Sequence, residues 1–305
     1  MEQMDKRSFG VNRLNQSQRV MVVISVSAII LYYSVFFVFP IGYAFVGSFF
    51  NWMPAKRIFS FIGLENYQKI FEQSTMGLAL QNTLLFTVIV TLARTAFGLF
   101  FAVLIDSLCK GKALFRTIYF IPVITSTVAV SMIWKWIYEP SNGPINYYLG
   151  VLGFASQRFL KDPNQALYCI MLMTIWKETG YAMVMYMAGL TGIPGTLYEA
   201  ADIDGCTRPQ AFMHITLPLL KNTTQFILLT SFVTFCQTFT QIDLMTKGGP
   251  GKATYTMVYY LYQEAFDKNR FGRASAIAFV LFAVILAFSL LQLKVKRAGE
   301  GQGHD

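Results

Sequence analysis

Between Arg19 and Lys56 the chain carries no charged side chain, and between Ser74 and Ile105 it carries one, Arg94. Runs of that length exceed the roughly 20 apolar residues that a membrane-spanning helix needs. Comparable stretches at about 20–48, 79–105, 115–138, 165–190, 217–241 and 273–293 give six expected spans. Charged residues make up 13% of the chain, against about 25% in soluble domains, which fits an all-α membrane protein. The first stretch is longer than one crossing requires, so Pro40 is expected to kink it or to mark its outer end. It far exceeds the apolar region of a cleavable leader and is read as a true span.

Six spans place both termini on one side of the membrane. Putting that side in the cytoplasm collects Lys6, Arg7, Arg13, Arg19, Lys110, Lys112, Arg116, Arg208, Lys221, Lys294, Lys296 and Arg297 there. The bias over the outer loops is small, but these residues hug span ends, where positive charge sets topology. The resulting plan is a cytoplasmic tail at 1–19, a first transmembrane helix at 20–50, a core of five further transmembrane helices at 75–294, and a cytoplasmic tail at 295–305. Outer connections fall at 49–78, 139–164 and 242–272, where Asn, Pro and Gly mark turns. No internal repeat is apparent, which gives no support to an inverted-repeat transporter.

Soluble chemistry is sparse. The net charge of +9 comes without a basic run of the kind that grips nucleic acid. Cys109, Cys169, Cys206 and Cys236 are scattered, and His214 and His304 lie far apart, so neither disulfides nor a metal site is expected. The segment GGPGKAT at 248–254 brushes against a phosphate-binding loop. It fails because Thr246 stands where the first glycine belongs and Ala253 where a hydroxyl is needed. No catalytic residue is expected, and no cofactor; any ATP would be bound by a separate subunit.

Ionisable groups inside a span cost about 2.5–3.5 kcal/mol on insertion scales and are functional candidates by default. Lys135, near a span end, is expected to snorkel to the interface. Lys177 and Glu178 fall mid-span in TIWKETGYAM. Adjacent positions do not face each other on a helix, so the two are not expected to neutralise one another easily. At least one is expected to find a partner on another helix, Arg94 for instance, on another subunit or in a wet cavity. With Trp176, whose indole can stack on sugars or cations, they form a candidate polar pathway. The plainer reading is an interhelical ion pair that fixes packing. Gln225 and Gln237, twelve positions apart, fall about 120° from each other and make no single stripe; such amides often glue helices together.

The most specific segment is polar and lies between the fourth and fifth spans: EAADIDGCTRPQAFMHITLP, Glu199–Pro218. Thr196 and Glu199 have the spacing of a capping box, Gly205 is a helix terminator, and Thr207 with Gln210 repeats the box. Pro218 is expected to halt the second helix. Capping leaves Ala200 and Ala201 unexplained, since small side chains let another surface approach closely. It also leaves Asp202 and Asp204, set toward a helix C-terminus where the dipole disfavours negative charge. A docking surface accounts for both.

The spacing E-A-A-x-x-D-G, then F-x-x-I-x-L-P, resembles the EAA loop of permease subunits from binding-protein-dependent ABC importers. Glu199, Ala200, Ala201, Asp204, Gly205, Phe212, Ile215, Leu217 and Pro218 match it, and Cys206 replaces the usual alanine. Runs covering about 80–293, including FRTIYFIPVITSTVAVSMIWKWIY and MAGLTGIPGTLYEAADIDG, are similar to the carbohydrate-uptake branch, of maltose and glycerol-3-phosphate type. Arg94 departs from the usual apolar residue. The resemblance implies a type I ABC importer permease fold, six transmembrane helices with a cytoplasmic EAA coupling hairpin at 194–218. It implies import of a sugar, oligosaccharide or polyol-like solute by alternating access through a prokaryotic cell membrane. The implied partners are a second homologous permease, two ATP-binding subunits seated on the hairpin, an extracytoplasmic solute-binding protein and membrane lipid. The alternatives are an ion- or proton-coupled secondary transporter using Lys177 and Glu178, and a non-transporting membrane receptor.

Overall fold

The computed structural model describes residues 15–108 and 110–301. Lys6, Arg7, Arg13, Cys109 and His304 lie outside the described residues. The chain is a helical bundle whose apolar runs set the length of its elements. Helix α1 (Gln16–Gly47) follows an Asn15–Gln18 capping box and runs through Pro40. A proline ring would clash with the carbonyl four residues earlier. Here the preceding turn, Ser34–Val38, is a π-helix, and the widened turn lets the helix continue.

A two-stranded antiparallel hairpin follows, β1 (Phe50–Met53) and β2 (Ile58–Phe61), which a reading of apolar spans alone does not anticipate. Helix α2 (Glu65–Glu72) leads into α3 (Ser74–Asp106), one unbroken helix of 33 residues. The expected third span is not one helix. It is α4 (Lys112–Ile124) and α5 (Thr127–Ile137), bent by 93°. Pro122 cannot supply the amide that α4 needs near its end. Thr125 and Ser126 then leave helical geometry, with the Thr125 hydroxyl donating to the Pro122 carbonyl at 2.6 Å.

After a short α6 (Pro144–Val151) comes α7 (Ala166–Thr191), with 26 residues. It packs along α3 and against α4. Gly180 makes the second contact possible, because a Cβ there would overlap the Tyr119 carbonyl. The polar hairpin is α8 (Gly195–Ile203) and α9 (Arg208–Ala211). Then come α10 (Lys221–Cys236), α11 (Thr240–Met245), α12 (Met257–Tyr262) and α13 (Phe271–Gly301), the last passing beyond residue 294. By length and composition α1, α3 and Phe271–Lys294 each suffice to cross a membrane, and the bent α4–α5 pair makes a fourth. Helix α7, about 39 Å long at 1.5 Å per residue, also has the length to cross.

Three apolar clusters hold the bundle. Ala102, Ile105, Ala182, Met183, Tyr186 and Leu220 pack at the end that carries the polar hairpin. Phe86, Ile170, Met173, Phe235 and Ile242 pack toward the opposite end. Ile70, Met76, Phe232, Tyr260 and Ile277 join α2, α3, α10, α12 and α13. Arg94 of α3 and Lys177 and Glu178 of α7 fall between the residues these helices give to the first two clusters.

Candidate functional site: an intramembrane charge cluster and a polar hairpin

Arg94 of α3 is 4% exposed. Its guanidinium donates from Nη1 to Ser231 Oγ on α10 at 3.1 Å and lies 4.7 Å from the ring centre of Tyr181 and 5.3 Å from that of Phe235. A guanidinium keeps its charge even when buried, so facing aromatic rings supply part of the solvation lost from water. The expected ion pair with α7 does not form: Glu178 lies within electrostatic range of Arg94 without an ion pair between them.

Lys177 and Glu178 pair with each other, contrary to the expectation that neighbours would not, while Lys177 also reaches a partner on another helix, as expected of at least one of them. Lys177 is 5% exposed, and its Nζ lies 3.1 Å from Glu178 Oε1 and 3.1 Å from the Val123 carbonyl of α4. The rule that neighbours on a helix do not face each other holds for their Cβ directions. The long, flexible lysine stem bends around the helix, and the carbonyl near the end of α4 fixes where its ammonium rests.

This pair borders a polar cavity of about 220 Å³. Thr127, Thr174, Thr234, Thr238, Thr240, Gln237 and Gln241 supply hydroxyls and amides, and Phe235 and Phe239 supply rings. Glu178 Oε2 has no hydrogen-bond partner among the described residues. The break between α10 and α11 puts residues 237–240 in the lining of this space. That break was invisible to a reading of 217–241 as one span.

Other sequence candidates fall elsewhere. Trp176 is half-exposed, outside the cavity lining, with its ring 5.6 Å from that of Trp134. Gln225 sits near the hairpin end, where its carbonyl accepts from Gln292 Nε2 at 2.7 Å, so it is not brought together with Gln237. Lys135 does not simply snorkel; its ammonium donates to the Leu244 carbonyl at 2.9 Å, in the last turn of α11. Sequence reading passed over Glu264, whose fully buried carboxylate meets Lys268 at 2.6 Å. Segment 248–254 is a tight turn whose Lys252 donates to Thr75 Oγ1 at 2.8 Å, and nothing in it cradles a phosphate.

In the hairpin, the first expected capping box is absent. Helix α8 starts at Gly195 with Pro194 as its cap and no side-chain cap bond, so the Glu199 carboxylate is not spent on its own helix. Gly205, at φ +73°, ends α8 in a Schellman motif. Its amide donates to Asp202 O at 3.2 Å, and that of Cys206 donates to Ala201 O at 2.9 Å. The second box forms: the Thr207 amide donates to Gln210 Oε1 at 2.8 Å.

Pro218 does not halt the second helix. A π-turn at Phe212–Thr216 absorbs it, and the chain passes through Leu217–Leu219 and a break at Leu220 into α10. Tyr198 and Thr216 hydroxyls, 2.8 Å apart, tie α8 to this continuation.

The motif residues divide in two. Ala201 is buried, and Phe212 and Ile215 are half-buried, so these serve the hairpin's own packing. Glu199, Ala200, Asp202, Asp204, Gly205, Leu217 and Pro218 are exposed, and Ile203 is 87% exposed. Only one member of the alanine pair remains open to another surface.

Residues 95–298 match the family described as binding-protein-dependent transport system inner membrane component. The chain belongs to that family. It is 33% identical over 297 residues to the arabinooligosaccharides transport system permease protein AraP of Bacillus subtilis, covering 96% of this chain and 94% of that one. It is 30% identical over 261 residues to the sn-glycerol-3-phosphate transport system permease protein UgpA of Salmonella choleraesuis, covering 85% and 88%. Among solved structures, it resembles a chain of a bacterial ABC transporter for the acidic polysaccharide alginate. That TM-score is 0.83 at 23% identity, covering 92% of this chain and 96% of that one, and it shows a shared permease fold. This permease is therefore a multi-pass membrane component of a transport system.

Proposed function

We propose that this permease is the transmembrane subunit of an ATP-driven ABC importer for a sugar, oligosaccharide or polyol-like solute, working by alternating access. Its partners are a second homologous permease, two ATP-binding subunits and an extracytoplasmic solute-binding protein. Both termini and the hairpin at 194–218 lie in the cytoplasm. The observation that carries the reading is the hairpin itself. It is stiffened by a Schellman motif and a capping box, it leads into α10 across a single-residue break at Leu220, and it presents Glu199, Ala200, Ile203 and Asp204 outward with no ion pair among the described residues. A stiff element passes on a push that a loose loop would absorb. Closure of the ATP-binding subunits against Glu199, Ala200, Asp204 and Gly205 would shift α10, and with it the cavity wall at Phe235 and Gln237.

The cavity is the candidate solute path, with Lys177, Glu178 and Gln237 on its wall and Arg94 one aromatic ring behind. Its threonines and glutamines both donate and accept hydrogen bonds, and its rings suit stacking. A free carboxylate oxygen disfavours an anionic solute there, while Lys177 and Arg94 disfavour a cation. An uncharged, hydroxyl-rich solute meets both constraints. The relative named for arabinooligosaccharide transport supports an uncharged, hydroxyl-rich solute, whereas the one named for glycerol-3-phosphate transport bears only on the broader polyol-like class.

The test is to purify the assembly from its native membrane, identify its subunits and reconstitute it in proteoliposomes. Recovery of an ATP-binding protein and ATP-dependent sugar uptake are expected. Uptake indifferent to ATP but abolished by collapsing an ion gradient would replace this reading with the secondary-transporter alternative.

A further inference from the structure

The β1–β2 hairpin has a direction. The register pairs Phe50 with Phe61 and Trp52 with Phe59, which puts four aromatic side chains on one face. Phe50 stacks on Phe59 at 4.4 Å. Trp52 aims the face: its ring lies 5.3 Å from Tyr43, in the last turns of α1, and 5.2 Å from Phe271, the first residue of α13. Both contacts are at ends of membrane-crossing helices, and β1 begins three residues after α1 stops. The aromatic face therefore looks back toward the bilayer rather than out into water.

The helices cover only part of that face. Phe59 is 49% exposed and Phe61 70% exposed, and both overhang on the outer strand β2. The turn that joins the strands carries exposed Lys56 and Arg57. The mount is rigid: Asn66 Nδ2 donates to the Ser48 and Phe50 carbonyls at 2.8 Å each.

We infer that this hairpin is a lipid-binding element. Phe59 and Phe61 sit in the headgroup boundary of the bilayer, and Lys56 and Arg57 pair with the phosphate of an anionic phospholipid. Aromatic side chains favour that boundary, and basic residues at the surface favour anionic lipid. A protein docking from the aqueous side would meet the other face, that of Asn51, Ser60, Met53 and Ile58. The inference holds for either orientation of the chain and does not depend on which solute is carried.

The experiment uses the intact transporter complex in nanodiscs doped with phosphatidylglycerol or phosphatidylcholine carrying a photoreactive diazirine in the headgroup region, with adducts mapped by mass spectrometry. Adducts on the peptide that contains Ile58–Phe61 are expected from both lipids, with phosphatidylglycerol preferred. The K56Q/R57Q variant should lower that preference about tenfold while leaving adducts on α1 unchanged. Adducts on α1 and α13 with none on the hairpin would overturn the inference. So would hairpin adducts that vanish when the solute-binding protein is added, because they would mark a protein-docking face.

Discussion

The charge cluster inside the bundle and the hairpin at its end use polar residues in opposite ways. Inside, Lys177 is matched by Glu178 and the Val123 carbonyl, and Arg94 by Ser231 and two rings, with its buried Nε left without a hydrogen-bond partner among the described residues. On the hairpin, Glu199, Asp202 and Asp204 are exposed and ion-paired to nothing among the described residues. Asp202 and Asp204 even sit at the unfavourable end of the α8 dipole. Polar groups that stabilise a fold are paired within it, whereas those that serve a partner are left open. The contrast assigns the cluster mainly to architecture, with one free carboxylate oxygen left to a solute, and the hairpin to something outside the chain.

The largest expected break is at Gly205. Its φ of +73° is closed to proline, which also lacks the amide that bonds Asp202 O. Gly205→Pro is expected to leave membrane insertion intact, lower ATP-driven uptake more than about tenfold and leave ATP hydrolysis running. A tenfold loss corresponds to about 1.4 kcal/mol of coupling. Normal uptake in proteoliposomes would remove the hairpin from the mechanism.

Next comes Lys177→Met, which strands a largely buried carboxylate. Thermal unfolding in detergent should show a loss of about 3 kcal/mol. The double variant Lys177→Met/Glu178→Gln should regain most of it, because neither charge is then left alone. Equal losses in the single and double variants would mean that the pair is not the stabilising unit.

How much of this was legible in the sequence follows the same division. Uncharged run length gave the long helices, and the spacing of Glu199, Gly205 and Pro218 gave the hairpin, because both signals are local. Pairing of Lys177 with Glu178 was not legible, since it depends on the Val123 carbonyl arriving from a helix 54 residues away. Nor were the 93° bend after Ile124, the β-hairpin and the threonine-lined break at 237–240. The bend follows from Pro122, which a reading of run length passes over, and the other two come from packing against neighbours that periodicity does not encode. Thr196 shows the reverse error: the capping spacing is present, but Pro194 starts the helix earlier and the box never forms.

Two smaller effects sharpen the comparison. Thr207→Ala removes one half of the formed box and is expected to cost about 1 kcal/mol, read as a lower unfolding midpoint. Asp202→Asn with Asp204→Asn should instead raise the midpoint slightly, by no more than about 2 °C, because charges opposing the α8 dipole are removed. A clear drop in that midpoint would show that the acids are paired within the chain after all.

The central claim is that the exposed end of α8 is where an ATP-binding subunit sits. Ile203, the most outward apolar residue there, is the place to ask. A photo-crosslinking amino acid at position 203, activated in the intact purified complex, is predicted to yield an adduct with the ATP-binding subunit. That adduct should weaken when Gly205→Pro is added. Adducts with lipid alone, in a complex that still contains the ATP-binding subunit, would contradict the account.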